Sequence, residues 1–427
     1  MPKPDPCPHH DRAHGLCRIT LPEYGSVIVP GDHLTLHDHA RLTGGDKSRR
    51  ICGVTPHRDG WRITAREIVG VLRLTRIHLN IAPKMAFTRN SLLRWTAYAM
   101  NVPVPHETTT RAWQTDRTGF TDLVAAALLA ECRSLLGYGL RRDYVRNARI
   151  SPVLRGRLDV MAQATKRYGM LDTLHVHTFD RETDIWENRL CGHALRAAGK
   201  AVADPRLARE LISVADEFPA SGSVATVLRA QLRARYTPLN LHYRPAHLWS
   251  ALILRGGGVS DLLIDAGNAA DSLLLDMPRL WEKVVVRLTA DSAPAFAAPV
   301  SPTDRSRIKI CGDLSNQSSF RPDVLFRMQQ ADGDAMLPID AKYKHYHRTS
   351  LAAADLHQLL TYVAGYAPEE APIAAIIHPA PESGGFRTVR VHGNGRELGA
   401  VRVFGVDTDM PPAAATEWLT TKLWTDE

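Results

Sequence analysis

The 427-residue sequence lacks the features that mark membrane and secreted proteins. No apolar run reaches the roughly 18 residues that a transmembrane helix needs. The first ten residues are polar and proline-rich, without the apolar stretch of a secretion signal. The six cysteines are scattered and suggest no compact disulfide framework. We therefore expect a soluble, cytoplasmic protein with reduced thiols.

Motifs for zinc and for nucleotides are missing as well. No pair of cysteines has the two-to-four-residue spacing of a structural zinc site. No Gly-x-x-x-x-Gly-Lys-Ser/Thr loop is present to bind a nucleotide phosphate, so we expect no nucleotide hydrolysis by the chain itself. Cysteines and histidines do gather between Cys7 and Cys52. We favour a polar, metal-free N-terminus there, with zinc binding as the open alternative.

The composition is that of a globular protein large enough for two or three domains. Hydrophobic residues make up 44% of the chain and charged residues 23%, which is enough to build apolar cores. The 53 Lys and Arg outnumber the 45 Asp and Glu, giving a net charge of +8. This mild excess favours a polyanionic partner without identifying one.

Three patterns follow one another along the chain. Residues 1–110 are rich in short strand patterns separated by turn residues. Residues 111–250 are predicted to form a mainly helical connector. Residues 251–427 alternate helix and strand patterns, which predicts an α/β domain with a partly parallel sheet. The predicted fold class is therefore multidomain α+β, with a β-rich N-terminal domain, a helical connector and a C-terminal α/β domain.

The individual elements follow from hydrophobic periodicity and from breaker residues. Gly137 is the predicted C-terminal cap of the first long helix. The predicted helices are Phe120–Leu136, Ile185–Ala203, Pro205–Phe218, Val224–Tyr236, Met277–Leu288 and Leu351–Tyr366. The predicted strands include Ile77–Ile81, Arg307–Cys311, Val324–Met328, Leu337–Tyr343 and Pro372–His378, whereas 292–306 is predicted to be irregular.

Two acids and a lysine stand out in the last third of the chain. Asp323 opens one predicted strand, and Asp340 and Lys342 lie on the next. Asp340 and Lys342 have the same parity, so a strand would point both side chains to one face, about 6.6–7 Å apart. Carboxylates hold a hard cation such as Mg²⁺, and a lysine can orient water or stabilise developing charge. The set predicts metal-dependent phosphodiester hydrolysis.

Other residues nearby fit the same chemistry. Glu282 lies on the predicted helix before these strands, where a third carboxylate can approach the metal. Gln358 and Tyr362 are four residues apart on the following helix and share one face, from which they can contact DNA or support the lysine. Lys344 extends the motif. Any one of these residues alone is more often a surface or packing residue. A function is favoured because the order of the residues along the chain and the predicted helices and strands that carry them all fit one site.

At these residues the sequence resembles a known family. It is similar to McrC, the nuclease subunit of the McrBC modification-dependent restriction system, in collinear order from about Gly70 to Tyr366. The first sixty or so residues match poorly, and Trp281 stands where phenylalanine is typical. The matching stretches are Ile81-Ala82-Pro83-Lys84-Met85, Leu154-Arg155-Gly156-Arg157-Leu158-Asp159, Glu187-Asn188-Arg189-Leu190, Asp276-Met277 with Leu280-Trp281-Glu282, Arg321-Pro322-Asp323, Asp340-Ala341-Lys342-Tyr343-Lys344 and Gln358 to Tyr362.

The resemblance implies a restriction-endonuclease-like domain of the PD-(D/E)xK superfamily in residues 251–427. The metal ligands would be Asp323, Asp340 and Glu282, with Mg²⁺ or Mn²⁺ as the cofactor. The catalytic set would be Asp323, Asp340, Lys342, Glu282, Gln358 and Tyr362.

The resemblance also implies a division of labour. The chain would be the endonuclease subunit of a type IV restriction system, cutting double-stranded, modified DNA. A McrB-type AAA+ GTPase hexamer would recognise the DNA and translocate, and residues 1–110 would bind it and stimulate its GTPase. Two alternatives stay open: a stand-alone DNA-repair or mobile-element nuclease, and a non-catalytic GTPase-activating subunit. The intact acid–acid–lysine set favours a nuclease over the last.

Overall fold

A computed structural model gives the structure of the chain. It describes residues 10–11, 16–43, 52–84, 87, 89–102, 120–170, 172–202, 204–254, 273–301, 303–304, 308–309, 319–330, 333–344, 346, 351–368, 372–380 and 384–424. The chain forms two compact units, here called the two-segment unit (Met1–Val104 with Gly257–Glu427) and the middle unit (Pro105–Gly256). Both combine helices with strands, which confirms the predicted mixed class. In the described part of the chain, no helix is both long and apolar enough to cross a membrane.

The N-terminal segment of the two-segment unit is built mainly from strands. Its elements are β1 (His10–Asp11), β2 (Leu16–Pro22), β3 (Ser26–Val29), α1 (Leu36–Thr43), β4 (Cys52–His57), β5 (Gly60–Ala65), β6 (Ile68–Arg73), β7 (Ile77–Ala82) and α2 (Arg89–Met100). Strands β3, β5 and β4 form one sheet, and β1, β2, β7 and β6 form another. The strand predicted at Ile77–Ile81 is confirmed as β7, whose apolar residues are buried while the residues between them are half-buried. Both sheets therefore share one apolar core.

The middle unit holds most of the predicted helices. Its elements are α3 (Phe120–Tyr138), β8 (Asp143–Ser151), β9 (Arg157–Leu158), α4 (Val160–Lys166), β10 (Leu174–Glu182), α5 (Trp186–Ala201), α6 (Pro205–Ala215), α7 (Val224–Arg233) and α8 (Arg244–Leu254). The helix that begins at Phe120 continues through Gly137 to Tyr138, so the predicted cap is wrong. The left-handed residue is Gly139, with φ +84°. A glycine is needed there because it adopts this conformation without a steric cost.

The middle unit also contains a three-stranded sheet, which the sequence did not predict. Strand β10 pairs antiparallel with both β8 and β9. Residues along β8 are half-buried or exposed on both faces. The sequence pattern missed this strand because it lacks the apolar alternation of a half-buried one.

The C-terminal segment returns to the two-segment unit. Its elements are β11 (Leu273–Asp276), α9 (Met277–Ser292), β12 (Ala297–Pro299), β13 (Ile308–Lys309), β14 (Ser319–Phe320), β15 (Val324–Gln330), β16 (Gly333–Ala341), α10 (Ala353–Tyr366), β17 (Ile373–Pro379), β18 (Gly385–Gly393), β19 (Arg396–Val406) and α11 (Pro412–Leu423). Strand β11 pairs with β6 and thereby becomes the fifth strand of the N-terminal sheet. The sequence analysis missed the last two strands and α11, and it missed β12 inside the stretch predicted to be irregular.

The largest sheet of this segment has six strands in the order β12-β15-β16-β17-β19-β18. Strand β16 runs antiparallel to β15 and parallel to β17, and β17 runs parallel to β19. The predicted, partly parallel sheet is thus present. Helix α10 connects the parallel pair β16 and β17 and packs on the sheet through Leu359, Tyr362 and Val363. This packing brings polar residues of α10 to the C-terminal end of β16.

The cysteines correct one expectation. Cys52, Cys132 and Cys191 are buried free thiols, as expected. Cys17, in contrast, is disulfide-bonded. The positions of cysteines along a chain do not show which thiols meet in space, so the sequence could not predict this bond.

Candidate active site

The ends of β15 and β16 bring two carboxylates together. Val324 pairs with Ile339 in the antiparallel ladder, so Asp323 and Asp340, one step further along, lie opposite each other. Asp323 Oδ2 accepts a hydrogen bond of 2.8 Å from the backbone N–H of Ala341. Two acids that are separated in the sequence therefore meet at one end of the sheet.

A chain of polar contacts connects Asp340 to helix α10. Lys342 Nζ lies 2.8 Å from Asp340 Oδ2 and donates to Gln358 Oε1 at 2.8 Å. Gln358 Nε2 donates to the Tyr362 hydroxyl at 2.8 Å and to Asp340 Oδ1 at 3.4 Å. The Tyr362 hydroxyl donates to the Arg321 carbonyl at 2.8 Å. The structure thus connects these predicted residues in one site, and their catalytic roles stay predictions.

Lys342 lies one residue beyond β16, which ends at Ala341. The predicted strand ran to Tyr343, so strand parity is not what orients this lysine. Its backbone N–H donates to the Ile377 carbonyl at 3.1 Å, and the Trp281 indole N–H donates to the same carbonyl at 2.9 Å. Contacts with β17 therefore fix the lysine backbone, from which Nζ reaches Asp340.

The electrostatics of Asp340 suit a cation. Burial raises the pKa of Asp340 to about 6; the negative charge of Asp323 adds to this shift and Lys342 opposes it. Asp340 is 2% exposed, and its Oδ2 pairs with the Lys342 ammonium at 2.8 Å. A buried carboxylate oxygen with spare lone pairs, opposite a second carboxylate, is a donor set that a hard divalent cation accepts. The pair of acids therefore fits Mg²⁺ or Mn²⁺.

Glu282 stands apart from this pair. Its side chain is exposed on α9, yet neighbouring protein atoms partly desolvate it and, with the charge of Asp323, raise its pKa. Across the residues that the structure describes, no three Asp, Glu, His or Cys side chains gather closely enough to form a ready-made metal site. Mg²⁺ commonly uses one or two carboxylates and keeps several waters. Glu282 as a third ligand therefore stays a prediction.

Asp355 is a supporting residue that the sequence analysis missed. It is 5% exposed, and Lys344 Nζ donates to its two oxygens at 2.9 and 2.8 Å. The Tyr346 hydroxyl also donates to it. Asp355 lies three and seven residues before Gln358 and Tyr362, so the helical spacing of these polar residues was a usable signal. It directs Lys344 towards α10 and away from Asp340.

A comparison with protein families decides which family this is. A family model described as "McrBC 5-methylcytosine restriction system component" matches residues 63–379. That range covers well over half of the chain and contains every residue of the site described above. The chain belongs to this family. Among curated proteins, none is significantly similar in sequence.

Two solved structures are similar to this chain. One is described as a refined half-complex from a tetradecameric assembly of Thermococcus gammatolerans McrB AAA+ hexamers with bound McrC; its TM-score is 0.64 at 17% identity, over 95% of this chain and 99% of that chain. A structure of the Thermococcus gammatolerans McrBC complex is similar with a TM-score of 0.44 and 20% identity, over 65% of this chain and 88% of that chain. The first of these structures shows that this chain has the same fold as the matched chain over nearly its whole length.

In this McrBC component the N-terminal segment contacts the motif that carries Lys342. Glu23, which is 4% exposed, accepts hydrogen bonds at Oε2 from the Tyr343 hydroxyl and from the Lys84 backbone N–H, both at 2.7 Å. The Lys84 ammonium lies 4.5 Å from the centre of the Tyr343 ring. Burial is the main cause that raises the pKa of Glu23 to about 7. Glu23 follows strand β2 in a turn, and its sequence context resembles that of any exposed acid, so no signal indicated this contact.

Proposed function

We propose that the chain is the metal-dependent endonuclease subunit of a McrBC-type restriction system and hydrolyses DNA phosphodiesters. The observation that carries this proposal is the buried Asp340 carboxylate, with Lys342 at 2.8 Å and Asp323 opposite. Two acids and a lysine at one sheet end are suited to bind a cation and to stabilise charge on a phosphate. The family match supports membership of a restriction system, and the geometry of the site supports phosphodiester hydrolysis.

The residues divide the catalytic work among them. Asp323 and Asp340 would hold Mg²⁺ or Mn²⁺, which when bound supplies Lewis-acid activation of the phosphate and of a water. The Lys342 ammonium has three N–H donors. Asp340 and Gln358 each lie 2.8 Å from it, which leaves one donor for a substrate oxygen or for the attacking water. Gln358, held by Tyr362, keeps that donor oriented.

The proposed partner is a McrB-type AAA+ GTPase hexamer. The solved structure with the matching fold contains McrC bound to McrB hexamers, and this sequence carries no phosphate loop of its own. Docking by residues 1–110 stays a prediction. The middle unit supports a further docking surface, because large apolar side chains from the end of β8 to the segment after α4 are exposed, which is typical of interaction sites. They include Ile150, Val153, Leu154, Val160, Met161, Tyr168 and Met170.

Cleavage by the assembled complex tests this function. The chain would be co-expressed with a McrB-type GTPase, and the purified complex given GTP, Mg²⁺ and either methylated or unmethylated plasmid. We expect cleavage of modified DNA, and its loss in Asp323→Ala and Asp340→Ala with complex formation intact. Asp334→Ala is the matched control, because Asp334 is an exposed acid on the same strand. Undiminished cutting by Asp340→Ala would contradict the proposal.

A further inference from the structure

One face of the β8–β10 hairpin combines arginine with aromatic side chains. In the antiparallel register Tyr144 lies opposite Arg181, and Arg146 lies opposite Phe179. Directly opposed residues of a ladder point to the same face, with Cβ atoms about 4.5–5.5 Å apart. Arg142 precedes Tyr144 by two positions, and both line one surface cavity of about 880 Å³ together with Arg181. The five residues therefore form a continuous surface, here called the arginine–aromatic face.

The opposite face of the hairpin has its charge neutralised. Arg149 lies 3.5 Å from Asp180 and 3.1 Å from Glu182, and Arg155 lies 3.6 Å from the same Asp180. Asn147 donates to Glu182 at 2.6 Å. The acids of this part of the hairpin thus pair with residues on their own face and leave the other face uncompensated.

The arginine–aromatic face carries a net positive charge, since its three arginines outnumber the one nearby acid, Asp143, on which the charge of Arg181 also acts. Among the residues that the structure describes, Arg142, Arg146 and Arg181 form no ion pair. Of the described residues that line the cavity, the one acid is Asp143, which pairs with Arg141 at 2.6 Å. Tyr144 is 66% and Phe179 62% exposed. Large exposed rings between uncompensated arginines need a reason, since burying them would stabilise the fold.

We propose that the arginine–aromatic face binds single-stranded DNA. Guanidinium groups contact the phosphates, and aromatic rings stack on unpaired bases, which is how proteins hold single strands without sequence preference. Duplex DNA hides the base faces, so it would leave Tyr144 and Phe179 unused. A protein partner could also contact the arginines and the rings, and the partner-binding measurement below distinguishes that outcome from DNA binding. The inference goes beyond the nuclease activity, because this face belongs to the middle unit and needs no metal.

Binding of a fluorescein-labelled oligothymidine of about 15 nucleotides, followed by anisotropy in EDTA over a salt series, tests the proposal. Tyr144→Ala should weaken binding about 5- to 150-fold, the effect of losing one stacked base. Replacing Arg142, Arg146 and Arg181 together by alanine should reduce the slope of log K against log salt by about 2, at about 0.7 per phosphate contact on a single strand. Arg149→Ala, on the neutralised face, is the matched control and should bind normally.

Two results would overturn the proposal. One is oligothymidine binding that is equally strong in the parent chain, Tyr144→Ala and the triple arginine variant. The other is loss of McrB-type partner binding in these variants while oligothymidine binding is unchanged, which would make the face a protein-docking surface. All replaced side chains are exposed, and circular dichroism would verify folding. Asp340→Ala should bind oligothymidine like the parent, so failure of the nuclease assignment would leave this test unaffected.

Discussion

Asp340→Asn should stabilise the metal-free protein while it abolishes cleavage. The Asp340 carboxyl is 2% exposed, and its pKa is raised from 3.8 to about 6 by burial and by Asp323. A shift of about 2 units corresponds to about 3 kcal/mol, at about 1.4 kcal/mol per unit. This is the free-energy cost of holding the ionised group in the folded protein, with the attraction of Lys342 already included. Asparagine removes that cost but also removes the charge that a divalent cation needs.

The sign of the pH dependence follows from linkage. The folded pKa lies above the unfolded one, so between pH 3.8 and 6 the folded protein binds more protons and stability falls as pH rises. The cost is absent well below pH 3.8 and complete above about pH 6. The free energy of unfolding of Asp340→Asn should therefore exceed that of the parent by up to about 3 kcal/mol at pH 8, and by less at pH 5.

Urea denaturation in EDTA, followed by tryptophan fluorescence at pH 5 and pH 8, measures this difference. Trp281 contacts the same region through the Ile377 carbonyl, and replacing every middle-unit tryptophan, Trp186 and Trp249 among them, by phenylalanine in both proteins would make the emission report on the two-segment unit. Asp334→Asn is the control: Asp334 lies on the same strand, is half exposed, and should give only a small difference. Asp340→Asn that is no more stable than the parent at pH 8 would refute the account of a buried, costly carboxylate.

Three further predictions concern the lysine, the metal and Glu23. Lys342→Ala should slow cleavage by about 10²–10³-fold, as loss of one charge-stabilising donor does, while calorimetric titration still detects Mn²⁺ binding. Chelation should stop cleavage, and Mg²⁺ or Mn²⁺ should restore it; restoration by Zn²⁺ alone would contradict the oxygen-ligand site. Burial raises the Glu23 pKa from 4.5 to about 7, so ionised Glu23 destabilises the folded parent above pH 7. The free energy of unfolding of Glu23→Gln should therefore exceed that of the parent by up to about 3 kcal/mol at pH 8, and by less at pH 5. Equal urea unfolding curves at pH 8 would contradict this.

Local patterns predicted much of the C-terminal segment. Strands β15 and β17 are short apolar runs, and α10 has an apolar face that packs on them, so each produces a periodic signal. The order of acid, acid, lysine and helix was likewise readable, and the structure connects those residues in one site. Sequence reasoning succeeded where burial of one face dictates the residue pattern.

Long-range pairing and exposed strands were not predictable in the same way. Strand β11 pairs with β6, although nothing in either strand identifies the other. Strand β8 is half-buried or exposed along its whole length, so no apolar alternation revealed it. The Lys342 backbone is held by a hydrogen bond to Ile377 on a neighbouring strand. Its orientation therefore does not follow from its odd or even position along β16. Each failure reflects a contact whose partner lies far away in the sequence.

The contact between Glu23 and Tyr343 has a consequence for how the protein is made. The two residues are 320 positions apart, and ribosomes add about 5–20 residues per second. The nascent N-terminal sheet therefore waits on the order of 15–65 s before Tyr343 can join it, whereas strand β11 is made earlier. During that time the Glu23 carboxylate lacks the hydrogen bond from Tyr343, and strand β6 lacks β11 as its neighbour. Because Tyr343 and the residues around Asp340 belong to the same unit, a chain that is released early would lack both this contact and the candidate site.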